Sequence, residues 1–219
     1  MSTALILVGH GRYADPWHDD AAVGQLVAEQ VAAAGLRPVV RSTLPGALDE
    51  FSAGDHALVV LTAGTGRADD AADDWAGFLD TLESYVDARV PTLALHQAAN
   101  TFGNPRWYTG HVGGVWVDGV SWHPPIGTVT FRPVDLEHPV TSGLRPFEAY
   151  DEAYLDLVTE PGICPLVVVD HDGATHPVVW QGPGPARVIY DALGHDWRSY
   201  ESAGRLDLLR REIAWLTAR

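Results

Sequence analysis

With 219 residues, 46% of them hydrophobic, the chain is long enough to bury a full core, and no shift in composition divides it, so residues 1–219 are expected to fold as a single domain. Its 29 acidic against 14 basic side chains give a formal net charge of -15, which, with no basic patch along the chain, excludes nucleic acid and anionic membrane surfaces as partners. The single cysteine, Cys164, excludes an intramolecular disulfide.

No apolar run approaches the roughly 20 residues that cross a bilayer. The segment from Met1 to Gly9 lacks the basic region and small-residue cleavage site of a signal peptide, so a cytoplasmic location is expected. Thr3 to Val8 reads as a buried strand running into the flexible Gly9-His10-Gly11 turn. Asp19 and Asp20 are suited to cap a helix whose inner face is Val23, Leu26, Val27, Gln30 and Val31, with Gly35 as its stop. Strands follow at Pro38 to Arg41 and at His56 to Leu61, the latter opening into Thr62-Ala63-Gly64-Thr65-Gly66. Asp73 and Asp74 are expected to cap a second helix with Trp75, Phe78, Leu79, Leu82, Tyr85 and Val86 on its core face. Pro91 starts a strand that ends at His96. Strand, helix, strand in this order is the grammar of a doubly wound parallel sheet.

Asn100 to Pro125 breaks the pattern and reads as a long loop region with short helical pieces, a length that usually serves function. The remainder is mostly β, with strands expected at Ile126 to Arg132, Tyr150 to Val158, Pro165 to Asp170, Pro177 to Gln181 and Ala186 to Tyr190. Arg205 to Ala218 closes the chain as an amphipathic helix with Leu206, Leu209, Ile213 and Leu216 on one stripe.

Two apolar runs each end in a histidine: Leu93-Ala94-Leu95-His96, and Val188 to Leu193 followed by Gly194-His195-Asp196. A buried strand that stops at a titratable residue puts that residue at the carboxyl edge of a sheet, where open α/β folds build their sites. His96 and His195 are therefore the candidate acid and base, with Asp196 or Glu152 orienting them. His18, Trp122, His123, Asp151 and Tyr154 are candidate substrate-binding residues, Trp122 by stacking on a sugar ring and His123 by bonding a hydroxyl. His18, His96 and His195 with a carboxylate could equally hold a divalent metal such as zinc. The plainer readings stand beside these: a solvated helix cap at His18, an exposed strand edge at Asp151 and Glu152, and a core plug beneath a loop at Trp122.

Other motifs fail. Gly64-Thr65-Gly66 lacks the third glycine of a dinucleotide fingerprint and the lysine of a phosphate loop, so no nucleotide is expected. Cys164 precedes a strand rather than sitting at a strand-to-helix elbow, and no serine lies in a Gly-x-Ser-x-Gly elbow, which disfavours covalent acyl chemistry.

The ordered motifs resemble the ThuA-like family, named for trehalose utilisation. They are Leu95-His96-Gln97-Ala98 followed by Phe102, His111 to Trp116 leading to His123-Pro124, His138-Pro139-Val140 with Gly143-Leu144, Asp151-Glu152-Ala153-Tyr154, Pro177 to Trp180 with Gly184 to Tyr190, and Leu193-Gly194-His195-Asp196. The resemblance covers nearly the whole chain. It implies an α/β class I glutamine amidotransferase-like fold: a flavodoxin-like three-layer sandwich with a mostly parallel central sheet and extra β-strands in the second half. It also implies that His96 stands where amidotransferases carry their nucleophilic cysteine, and that His195 and Asp196 replace their His and Glu. The expected function is an enzyme of carbohydrate metabolism acting on a small sugar or keto-sugar by histidine acid/base or metal-assisted chemistry, without glutaminase activity. A non-catalytic sugar-binding or regulatory module and a structural subunit are the alternatives, and a second copy of the chain is an admissible partner.

Overall fold

The computed structural model describes residues 2–64 and 75–218. Five strands pair in parallel: β1 (Thr3–Val8) lies between β2 (Arg37–Ser42) and β3 (Leu58–Thr62), β3 pairs with β4 (Thr92–Leu95), and β4 pairs with β11 (Val188–Asp191). The sheet continues antiparallel through β10 (Ala174–Gln181), β9 (Cys164–His171), β6 (Gly127–Pro133) and β7 (Phe147–Asp151), giving nine strands in the order β2-β1-β3-β4-β11-β10-β9-β6-β7. A separate ribbon joins β5 (Gly114–Val115) to β8 (Val158–Thr159).

The parallel strands are apolar on both sides because helices cover both faces. On one face α1 (Asp20–Ala33) packs on β1 and β2, touching α4 (Ala203–Thr217), which packs on β4 and β11. On the other, α2 (Ala76–Asp87) and α3 (Arg106–Val112) touch each other over Val59 and Leu61. In α1, Val23, Val27 and Val31 are buried as their spacing predicts. Only Asp19 caps it, accepting from the Ala22 amide at 3.1 Å. Asp20 instead turns inward, buried against the Gln97 amide. The expected cap of α2 at Asp73 and Asp74 lies outside the described residues.

The antiparallel half is joined by tight turns. Asp172 and Gly173, at φ 47° and 79°, connect β9 to β10 in the two-residue geometry whose twist matches the flanking strands. The predicted strand from Tyr150 to Val158 is broken in two, as β7 starts at Phe147 and leaves the ladder after Asp151. The Asp151 carboxylate takes the Glu152 amide at 2.9 Å, and Asp156 turns the chain at φ 53° before β8. Within Asn100 to Pro125, α3 is the helical piece.

Beneath the carboxyl ends of β4 and β11 lies a buried ionic layer. Arg205 pairs with Asp191 at 2.9 Å, both fully buried, and its guanidinium also reaches Tyr200 Oη and Leu193 O. Burial and the Asp191 charge push the Glu212 carboxyl well above the usual carboxylate range, so Glu212 carries a proton beside the ionised pair. Arg205→Met leaves Asp191 buried without its counter-charge and is expected to cost about 3–5 kcal/mol in urea denaturation, whereas Arg210→Met on the exposed face should cost little.

His111 in α3 donates from Nε2 to Thr92 Oγ1 at 3.0 Å, the threonine hydroxyl itself donating to Val90 O. Burial pushes this imidazole down to about 4. An unfolded histidine protonates near ~6.5, so the unfolded state binds the proton first and stability should fall as pH drops from there towards 4. A His111→Gln variant should flatten that part of a stability profile measured by thermal unfolding.

Candidate active site

The paired ends of β4 and β11 bring the two strand-end histidines together. Leu95 is in register with Asp191, so the residues that follow each strand emerge side by side at the carboxyl edge. His96 opens a 3-10 turn (His96–Ala99) with φ 45°, a left-handed backbone held from three sides. Its carbonyl accepts from Tyr190 Oη at 2.8 Å, its Nδ1 donates to Ala192 O at 2.6 Å, and its ring lies against Tyr154, with centroids 4.3 Å apart.

The turn after β11 is built around Asp151. That carboxylate, fully buried at the end of β7, accepts the amides of Gly194 at 2.8 Å and His195 at 3.1 Å, together with the Ser199 hydroxyl. Gly194 takes φ 107° where a Cβ would strike Tyr200 Oη, so no larger residue fits this turn. The loop after β1 supplies His18. Asp15 accepts the Trp17 and His18 amides and holds His18 Nδ1 at 2.8 Å.

Glu152 is the hub. Its Oε2 lies 3.2 Å from His195 Nδ1 and 3.4 Å from His96 Nε2, and its Oε1 lies 3.6 Å from His123 Nδ1. His96 Nε2 also faces Tyr154 Oη at 2.9 Å and His18 Nε2 at 3.1 Å. His18, His123, Glu152, Tyr154 and His195 line a cavity of about 750 Å³, with the buried His96 ring behind them. Trp116, Tyr154 and Asn100 line its walls, Asp118 adds a carboxylate, and Trp17, 75% exposed, stands at the opening.

Burial alone would raise the Glu152 carboxyl, but the neighbouring His195 and His96 imidazoles outweigh that and hold it far below the usual carboxylate range. Burial disfavours charge on His195, yet the bond to Glu152 and the charges of Glu152, Asp196 and Asp151 lift it above the ordinary imidazole value. His18 goes the other way: burial, with the neighbouring His96 and His195, lowers it against the pull of Asp15. Burial raises the Tyr154 phenol, aided by Glu152, so its hydroxyl keeps a proton to donate. One ligand atom each from His18, His96, Glu152 and His195 lie within 4.8 Å of one another, compact enough for a divalent cation.

A family profile described as ThuA, trehalose utilisation, matches residues 6–216. The chain belongs to the ThuA family. Among solved structures, a ThuA-like protein from Bacteroides uniformis is 18% identical, with a TM-score of 0.76 over 100% of this chain and 92% of that one. A ThuA-like protein from Parabacteroides merdae is 21% identical, with a TM-score of 0.71 over 99% and 90%. A glutamine amidotransferase from Thermotoga maritima is 8% identical, with a TM-score of 0.64 over 100% and 99%. At these identities the likeness establishes the class I amidotransferase-like fold. No curated protein matches the chain by sequence.

In this ThuA-family chain, His18, His123, Glu152, Tyr154 and His195 line one cavity, and His96 lies against them, its Nε2 in contact with His18, Glu152 and Tyr154. Three residues are placed otherwise. Asp151 is sealed beneath the cavity, where its carboxylate is consumed by backbone amides, so it shapes the His195 turn and does not meet substrate. Asp196 caps the 3-10 turn Trp197–Glu201 and binds the Arg198 guanidinium, leaving Glu152 as the carboxylate that bonds His195. Trp122 pairs with Leu155 across an isolated bridge, and its Nε1 donates to Asp156 at 2.9 Å, outside the cavity lining. Trp116 lines the cavity instead, edge-on to Tyr154 with centroids 4.8 Å apart. Asp15 was not singled out by the sequence, although a carboxylate three residues before a histidine is a local signal for this turn.

Asp151→Ala leaves the Gly194 and His195 amides buried and unpaired, and is expected to cost about 3 kcal/mol or more. Amide hydrogen exchange at those two residues should quicken beyond the rise from global destabilisation; equal protection in the variant would contradict the role given to Asp151.

Proposed function

We propose that this protein is an enzyme acting on a small sugar or keto-sugar, its chemistry carried by imidazole and carboxylate groups and not by a cysteine thioester. The convergence of His195, Glu152 and Tyr154 on one cavity at the carboxyl edge of the sheet, with His96 against them, carries this reading. His195, paired with Glu152 at 3.2 Å, takes a proton from a carbon next to a sugar carbonyl in this reading. The electron pair then moves to the carbonyl oxygen, which receives the Tyr154 hydroxyl proton. Trp116 and the exposed Trp17 offer apolar faces to a sugar ring, and His123 offers a partner for a hydroxyl. Membership of the ThuA family supports the carbohydrate assignment.

Glutamine hydrolysis through a thioester needs a thiolate at the turn after β4, and His96 occupies that turn. Cys164 stands at the start of β9, where burial and Asp135 raise its thiol pKa. No helix among the described residues is long and apolar enough to cross a membrane.

The test is a turnover and thermal-shift screen of neutral disaccharides and their keto derivatives. His195→Ala and Glu152→Gln should each lower turnover by roughly 10²–10⁴-fold while the variants remain folded. Stabilisation by a sugar without product in the parent chain would make it a binding module, and turnover that survives both substitutions would remove the proposed chemistry.

A further inference from the structure

We infer that His18, His96 and Glu152 form a divalent-cation site, with His195 standing beside it as an uncoordinated imidazole. The ring nitrogens that face away from the cavity fix the two tautomers. His96 Nδ1 meets the Ala192 carbonyl at 2.6 Å, and a carbonyl oxygen only accepts, so that nitrogen carries the hydrogen. His18 Nδ1 meets both oxygens of the Asp15 carboxylate at 2.8 Å and carries its hydrogen for the same reason. In the neutral rings both Nε2 atoms are then bare lone pairs, and they face each other at 3.1 Å. Glu152 Oε2 comes within 3.4 Å of His96 Nε2, bringing a third acceptor to the same point. The Tyr154 hydroxyl supplies one hydrogen, to His96 Nε2. Three electron-pair donors meeting with one hydrogen among them repel unless a cation lies between them.

The surroundings match what a metal-binding imidazole requires. A ligating histidine donates its other N–H to a carboxylate or backbone carbonyl that fixes the tautomer and raises its basicity, and Asp15 and Ala192 O are such groups. His195 differs in that the carboxylate its Nδ1 faces, Glu152 at 3.2 Å, is itself in the proposed ligand set, so His195 is assigned as a neighbour of that set. Two imidazoles and a carboxylate suit zinc or another first-row divalent ion and leave open positions facing the cavity. Bound there, the cation would polarise a sugar carbonyl or hydroxyl. The site lies in the same cavity as the proposed sugar chemistry but does not depend on a sugar.

The experiment is a titration of the full chain, stripped with EDTA and dialysed, with zinc and manganese salts by calorimetry and with cobalt by visible absorption. One ion per chain is expected, with raised melting temperature. His18→Gln and His96→Gln should abolish binding, Asp15→Asn should weaken it roughly 10–100-fold, and His195→Gln should leave the affinity close to the parent's. If His96→Gln fails to fold by circular dichroism, His18→Gln in the loop after β1 decides. The inference is overturned by absence of binding to the parent, which leaves a shared proton between the two rings, by undiminished binding in His18→Gln, or by loss of binding in His195→Gln. Cation binding without sugar turnover would sink the sugar reading alone, and sugar turnover without cation binding would sink this one alone.

Discussion

The parallel pairing of β4 with β11 is the constraint on which the site depends. Because Leu95 is in register with Asp191, the chain leaves both strands at one level, and the Ala192 carbonyl falls where the His96 ring can reach it. A slip of one residue would send every side chain of the strand to the opposite face and separate the two imidazoles. The register is strongly specified, since Leu93, Ala94 and Leu95 on one strand and Val188 to Tyr190 on the other are all buried. Hydrophobic burial and site geometry are therefore the same fact seen from two sides.

What holds the polar groups at that edge is also buried and polar. Asp151 gathers the amides of the His195 turn, and Asp191, Arg205 and Glu212 form an ionic layer under it. Such groups are costly to bury, and they repay the cost only when their partners are in place, which makes the turn stiff. Stiff support beneath and an exposed aromatic at the opening, Trp17, suit a site that must hold imidazoles at fixed distances while admitting a ligand.

Much of this was legible in the sequence. Apolar runs marked the parallel strands, and a histidine after two of them marked the carboxyl edge, because residues that follow buried parallel strands emerge together at that edge. The division of labour between Asp151 and Glu152 was not legible. Neighbouring residues leaving a strand point to opposite sides, and only the position of β7 at the sheet's far edge decides which of the two meets solvent and which meets the core. Trp116 lines the cavity where Trp122 was expected for a similar reason: both sit in a loop without period, and the bridge between Trp122 and Leu155 that takes Trp122 away from the cavity joins residues far apart in the chain. Asp196 misled because adjacency in sequence to His195 does not bring its carboxylate to the ring once the following turn needs a cap.

The family likeness fixes the scaffold, and the proposed chemistry rests on the side chains that this chain places on it. The arrangement of His18 and His96 is the core of the account, and their tautomers can be read directly. Long-range proton–nitrogen NMR correlation on chain carrying 15N-labelled histidine, stripped of metal, should show both rings protonated at Nδ1 with Nε2 bare. A hydrogen on Nε2 of either ring in its neutral form would contradict the bonds to Asp15 and Ala192 from which the site has been reasoned.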